Sequence, residues 1–106
     1  MHLLFICSKN EWRSRTAETI FKKDNRFEVR SAGTARGARI RVNAGLLQWA
    51  DIVFVMEDHH RKRLQETFPN IIAQKDIRVL YLPDEYQYMD PVLIEELQDV
   101  VESLFD

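Results

Sequence analysis

Residues 2–14 read His2-Leu3-Leu4-Phe5-Ile6-Cys7-Ser8-Lys9-Asn10-Glu11-Trp12-Arg13-Ser14. The segment His2–Cys7 is short and almost continuously apolar, the pattern of a strand buried on both faces rather than one with a wet side. A polar loop follows. Ser14–Lys22 then sets Ala17, Ile20 and Phe21 at helical offsets with charged residues between them. A buried strand therefore feeds through a six-residue, mostly polar stretch into an amphipathic helix, which is the opening unit of a parallel α/β sheet.

Working outward, the same alternation continues. Phe27–Ser31 reads as a second strand, closed by a turn at Ala32-Gly33. Val42–Trp49 reads as a short helix through Leu46, Leu47 and Ala50, and Ile52–Met56 is the clearest buried strand of the chain. Asp58 is expected to cap the next helix, on which Leu64 and Phe68 lie four apart. Ile77–Leu82 supplies a fourth strand. From Pro91, a favourable first helical residue, Leu93, Leu97, Val100, Val101 and Leu104 mark one apolar helical face. Strands alternating with helices predict a three-layer α/β/α domain spanning residues 1–106, a parallel sheet of four strands with helices on both faces. Ligands of such sheets bind beyond the carboxyl ends of the strands, where the first strand turns into its helix. That directs attention to residues 7–14.

Composition sets the outer limits. With 45% hydrophobic and 30% charged residues, three Gly and three Pro, the 106-residue chain is neither disordered nor low in complexity. A single cysteine excludes an internal disulfide and suits a reducing, cytoplasmic setting. The apolar runs fall well short of the roughly 20 residues of a membrane span, so no membrane partner is expected. His2, His59 and His60 show no zinc-like spacing, so neither metal nor cofactor is expected. Adjacent helical residues point about 100° apart, so His59 and His60 cannot share a ligand. The following Arg61-Lys62-Arg63 marks that face as solvated, without function. Residues 1–42 carry ten Lys/Arg against four acids, whereas 83–106 carry eight acids and no base. This polarity can draw an anion toward the N-terminal half, and Arg36, Arg39 and Arg41 are candidates for steering it. Overall acidity and the absence of a recognition motif exclude a nucleic-acid partner.

The loop Cys7–Ser14 has the parts of an anion trap. Backbone N–H groups curled around one centre, joined by those of a helix N-terminus, favour negative charge. Arg13 adds a planar fork that can hold two phosphate oxygens. Helix N-termini and nearby cations promote ionisation of a thiol, and a thiolate facing a pinned phosphorus atom is set for displacement, giving a phosphocysteine and a released alcohol or phenol. Ser14 can donate a hydrogen bond to the sulfur. Asn10 tolerates left-handed backbone angles and can brace a tight loop.

Cys7–Ser14 with Arg15-Thr16-Ala17-Glu18 resembles the phosphate-binding loop and first helix of the low-molecular-weight protein tyrosine phosphatases. Ser31-Ala32-Gly33-Thr34 resembles the family's second-strand motif, Trp49–Met56 its third strand, and Pro83-Asp84-Glu85-Tyr86 its late acid-bearing loop. The resemblance implies a sheet order of 2-1-3-4 and metal-free hydrolysis of a phosphotyrosine protein or small aryl phosphate, with inorganic phosphate as product. It implies Cys7 as nucleophile, Arg13 as phosphate clamp, Ser14 as the loop hydroxyl, Asn10 as the loop brace and Ser31 as the hydrogen-bond partner of Asn10. From their place in the loop, Ser8, Lys9, Glu11 and Trp12 are expected to line the substrate pocket, Glu11 at its rim and Lys9 at its mouth, and Trp12 and Tyr86 are candidates to flank an aromatic leaving group as flat apolar walls.

Asp84 follows the fourth strand directly, on the same sheet edge as Cys7, and is assigned as general acid. Asp90 is the alternative, although Asp90-Pro91 also suits a helix cap. Departures from the family pattern are Lys9 at the usual loop glycine, Trp12 at a common second cysteine, and a shortened stretch between Gly33 and Val42 with no counterpart of the histidine that braces the loop in relatives. Two other activities suit the same loop. One is a non-catalytic phosphotyrosine-binding module or cysteine phosphoryl carrier. The other is arsenate reduction, which without further cysteines requires an external thiol such as glutathione.

Overall fold

The computed structural model describes residues 1–105. In chain order the elements are β1 (His2–Cys7), α1 (Arg13–Phe21), β2 (Glu28–Gly33), α2 (Ala44–Trp49), β3 (Ile52–Val55), α3 (Asp58–Thr67), α4 (Pro69–Ile72), β4 (Asp76–Val79) and α5 (Pro91–Glu102), with a closing 3-10 turn at Ser103–Phe105. The four strands are parallel and ordered β2-β1-β3-β4, as expected. Leu3 pairs with Val29 on one side and Ile52 on the other, which makes β1 fully internal.

Alternation along β1 divides its side chains between two cores. Leu3, Phe5 and Cys7 face α1 and α5, packing with Ala17, Phe21, Phe54, Leu93, Leu97 and Val101. Leu4 and Ile6 face the other way, against Leu47, Val53, Val55, Leu64 and Ile72. Both faces are dry, which accounts for the unbroken apolar run. Phe5 stacks on Phe54 with ring centroids 4.9 Å apart. A fully buried side chain of this size stabilises the fold by about 1.5–3 kcal/mol.

Several boundaries differ from expectation. β2 runs through Ala32 to Gly33, because these residues continue pairing with Ile6 and Cys7. Asp58 is not the cap of α3 but its first residue; Glu57 occupies the cap position. The single turn α4, with Pro69 at its start, was not anticipated because four residues carry too little periodicity. Asp90 caps α5, its carboxylate accepting the Val92 N–H at 2.9 Å. Among the described residues no helix is long and apolar enough to cross a membrane. Parallel strands bring Cys7, Gly33, Met56 and the chain after Val79 to one edge, and the site lies there.

Candidate active site

Between Cys7 and α1 the chain is held by its carbonyls. Those of Cys7, Ser8 and Lys9 accept N–H groups of Thr34, Ala35 and Arg39 at 3.0, 2.9 and 2.9 Å, and Asn10 O accepts Arg39 Nε at 3.1 Å. Every one of these donors comes from the segment after β2. Carbonyls turned outward in succession leave the intervening amides facing the concave side, which is how a backbone builds an anion nest. Asn10 permits the curl by taking φ 58°. Gly33 permits the close approach, since a Cβ there would lie 2.4 Å from Ser8 O. Trp12, at the cap position of α1, offers no side-chain cap, so the first-turn amides of that helix remain available to an anion.

Cys7 Sγ sits at the bottom, its residue only 3% exposed. Ser14 Oγ is 2.9 Å away and the Asn10 N–H donates to the sulfur at 3.3 Å. Asn10 Nδ2 donates to Ser14 Oγ at 2.7 Å, which leaves the Ser14 proton to be directed either to Cys7 Sγ at 2.9 Å or to Ala32 O at 3.4 Å; an ionised sulfur, nearer and charged, is the stronger acceptor. A cavity of about 110 Å³ opens above, lined by Cys7, Ser8, Lys9, Glu11, Trp12, Arg13 and Asp84.

Arg13 is also 3% exposed, and its Nη1 donates to both Glu57 Oε2 and Leu82 O at 2.8 Å. Those two bonds use both Nη1 protons. The Nε and Nη2 protons remain for a ligand. Burial alone would push the Glu57 carboxyl up, but hydrogen bonds from Arg13 and His59 outweigh it and hold Glu57 below the usual carboxylate range. Asp84 stands at the mouth, 65% exposed, with Oδ1 3.8 Å from Arg13 Nη2.

Some expected placements need correction. Ser31 does not reach Asn10: its hydroxyl donates to the Glu18 carboxylate, a charged acceptor stronger than an amide oxygen. Asn10 Oδ1 is consequently buried without a partner among the described residues. Tyr86 is not among the residues lining the cavity; it is partly buried against the core that Leu3, Phe5 and Cys7 join. Asn10 and Ser14 lie behind the loop, fully buried, rather than on its surface. Asp90 is committed to its helix cap, whereas Asp84 lines the cavity.

The largest correction concerns His60. It is not on a solvated face but completely buried. Its Nδ1 accepts the Glu57 N–H at 3.0 Å, which assigns the ring proton to Nε2, 2.9 Å from Ser8 Oγ. An imidazole therefore does brace the loop, from α3 instead of the segment after β2. Burial, reinforced by the neighbouring His59 and Arg13, lowers the His60 pKa to about 4. Glu57, His59 and His60 bring ligand-type atoms within 4.8 Å of one another. Both His60 nitrogens and the Glu57 carboxylate are already engaged, and the Arg13 cation lies against them, so the cluster is built as a brace rather than a metal centre.

No protein-family model and no curated protein matches the sequence. Solved structures do. A mutant of YwlE from Bacillus subtilis is 21% identical with a TM-score of 0.74, the match covering 100% of this chain and 99% of that one. SP-PTP, a low-molecular-weight protein tyrosine phosphatase from Streptococcus pyogenes, gives 16% identity and 0.76, covering 99% and 93%. A protein tyrosine phosphatase from Entamoeba histolytica gives 23% and 0.72, covering 99% and 94%. With the strand order and the loop at the end of β1, these likenesses lead to one statement of identity: the chain has the fold of the low-molecular-weight protein tyrosine phosphatases.

Proposed function

We propose that this protein is a phosphomonoester hydrolase, a protein tyrosine phosphatase working through a phosphocysteine on Cys7. The observation that carries the reading is that Cys7, with the Asn10 N–H on its sulfur, lines one cavity together with the loop residues that follow it and Arg13, whose Nε and Nη2 are uncommitted. A phosphate dianion seated there presents its phosphorus to the sulfur, its oxygens held by loop N–H groups and by Arg13 Nε and Nη2. The thiolate attacks, the S–P bond forms as the P–O bond to the leaving group breaks, and Asp84 supplies the proton to the departing oxygen. Water then attacks the phosphocysteine. Asp84 takes the water's proton, Ser14 donates to the returning thiolate, and inorganic phosphate leaves.

Nothing in this sequence of steps requires a cofactor. A sulfur that must remain reduced, with no second cysteine to protect it, fits the cytoplasm. The similar proteins include both a tyrosine phosphatase and, in YwlE, an arginine phosphatase, so the leaving group needs its own assay. Trp12, 44% exposed at the mouth, offers a flat apolar wall and favours an aryl group. The test is turnover of p-nitrophenyl phosphate in chelator, followed by phosphotyrosine and phosphoarginine peptides. Turnover lost in Cys7→Ser supports the reading. Tight phosphopeptide binding without released phosphate would replace it with a binding module.

A further inference from the structure

A second cavity, of about 220 Å³, lies apart from the first and is lined by Thr34, Arg41, Val42, Asn43, Arg63, Leu64, Thr67 and Phe68. Its floor is apolar, from Val42, Leu64 and the partly buried Phe68 of one core. Its rim is cationic. Arg41 and Arg63 are exposed, and neither side chain pairs with a described residue. Thr34 is only 7% exposed, yet its hydroxyl makes no hydrogen bond within the described chain. The hydroxyl lines the cavity and is open to a ligand there. Asn43 adds an uncommitted amide, because only its Oδ1 is used, in accepting the Leu46 N–H.

Unpaired guanidinium groups, a threonine hydroxyl and an amide around an apolar floor describe the complement of an organic anion. We propose that this cavity is a second binding site, distinct from the Cys7 loop, for a small organic anion: an oxyanion head between Arg41 and Arg63, bonded by Thr34, with a hydrocarbon body on Val42, Leu64 and Phe68. The volume is below the roughly 300–1,000 Å³ of drug-sized pockets, which limits the body to about one ring. The site is joined to the loop by backbone: the Thr34 N–H holds Cys7 O, and the Val42 N–H holds the carbonyl of Gly33, whose Cα is closely approached by Ser8 O. This proposal stands whether or not the loop is catalytic.

The experiment is an amide NMR titration of the full chain with benzoate, phenylphosphonate and benzyl alcohol, at constant ionic strength and in excess inorganic phosphate to occupy the Cys7 loop. Expected are saturable shifts at Thr34, Val42, Leu64 and Phe68 with one or both anions, the stronger of them identifying the head group. The Arg41→Gln/Arg63→Gln double variant should weaken binding at least about tenfold, and Thr34→Val should weaken it severalfold. Both arginines are exposed, and an unchanged spectrum without ligand verifies the fold. Shifts confined to residues 8–13, shifts that never saturate, or equal binding of benzyl alcohol would overturn the proposal.

Discussion

His60 Nε2 lies 2.9 Å from Ser8 Oγ while His60 Nδ1 accepts the Glu57 N–H, so one neutral ring ties the loop after β1 to the turn after β3. Protonating it would put a second donor against the Glu57 N–H. With a folded pKa near 4 against about 6.5 unfolded, the unfolded chain binds more protons between those values. The stability contributed by neutral His60 is therefore complete above about pH 6.5 and declines as pH falls toward 4. Between pH 7 and pH 5 urea unfolding should lose about 2 kcal/mol more in the wild type than in His60→Gln. Equal losses would show that the ring is not held neutral.

Arg39 grips the loop twice, by its backbone N–H on Lys9 O and by Nε on Asn10 O. Arg39→Ala leaves the first bond, removes the second together with the 4.0 Å ion pair to Glu18, and should cost about 1 kcal/mol of stability. Because Asn10 also presents its N–H to Cys7, phosphatase kcat should fall as well. A kcat unchanged despite the lost stability would show that Arg39 does not set the loop's shape.

Gly33→Ala would place a methyl group 2.4 Å from Ser8 O and 2.7 Å from Ala38 Cβ. Both neighbours belong to the packed segments that shape the loop, so neither can withdraw freely. Destabilisation of about 1–3 kcal/mol is expected by thermal unfolding, together with weakened phosphate binding. Unaltered phosphate affinity would mean the loop tolerates displacement at this contact.

Asp84 and Asp90 separate chemistry from folding. Asp84→Ala should lower kcat about 10²-fold or more, with little change in Tm, since its side chain is 65% exposed and lines the cavity. Asp90→Ala should remove the α5 cap, costing about 1 kcal/mol with turnover retained. The reverse pattern would move the acid to Asp90.

What the sequence revealed follows the range of the interactions involved. The strand–loop–helix unit of residues 2–21 was legible because burial on both faces writes a local apolar run, and because Cys7, Asn10, Arg13 and Ser14 lie within one turn of chain. Asp84 does line the cavity, although β4 ends at Val79 rather than at Leu82, so residues 80–83, and not Pro83 alone, carry the chain from the strand to it. Glu57 and His60 were not legible. Their relation to Arg13 and Ser8 exists only because β1 and β3 are neighbours whose ends meet at one edge, and the adjacent basic residues at 61–63 made the His60 face look wet. The stretch between Gly33 and Val42 gave no sign in the sequence of supporting the loop. It is short, yet its amides hold three loop carbonyls, a role that backbone groups perform without any side-chain signature. Ser31 failed for a subtler reason: Glu18, one helix away, competes for its proton.

The central claim is that Cys7 Sγ accepts the phosphoryl group. Rapid acid quench during turnover of p-nitrophenyl phosphate, followed by peptide mass spectrometry, addresses it directly. The account predicts one added phosphoryl group on the peptide containing Cys7, accumulating further in Asp84→Ala than in the wild type, because p-nitrophenolate departs without an acid while the attack of water loses its base, and absent in Arg13→Ala. Phosphate release at an undiminished rate from Cys7→Ala, with no phosphopeptide in the wild type, would contradict it.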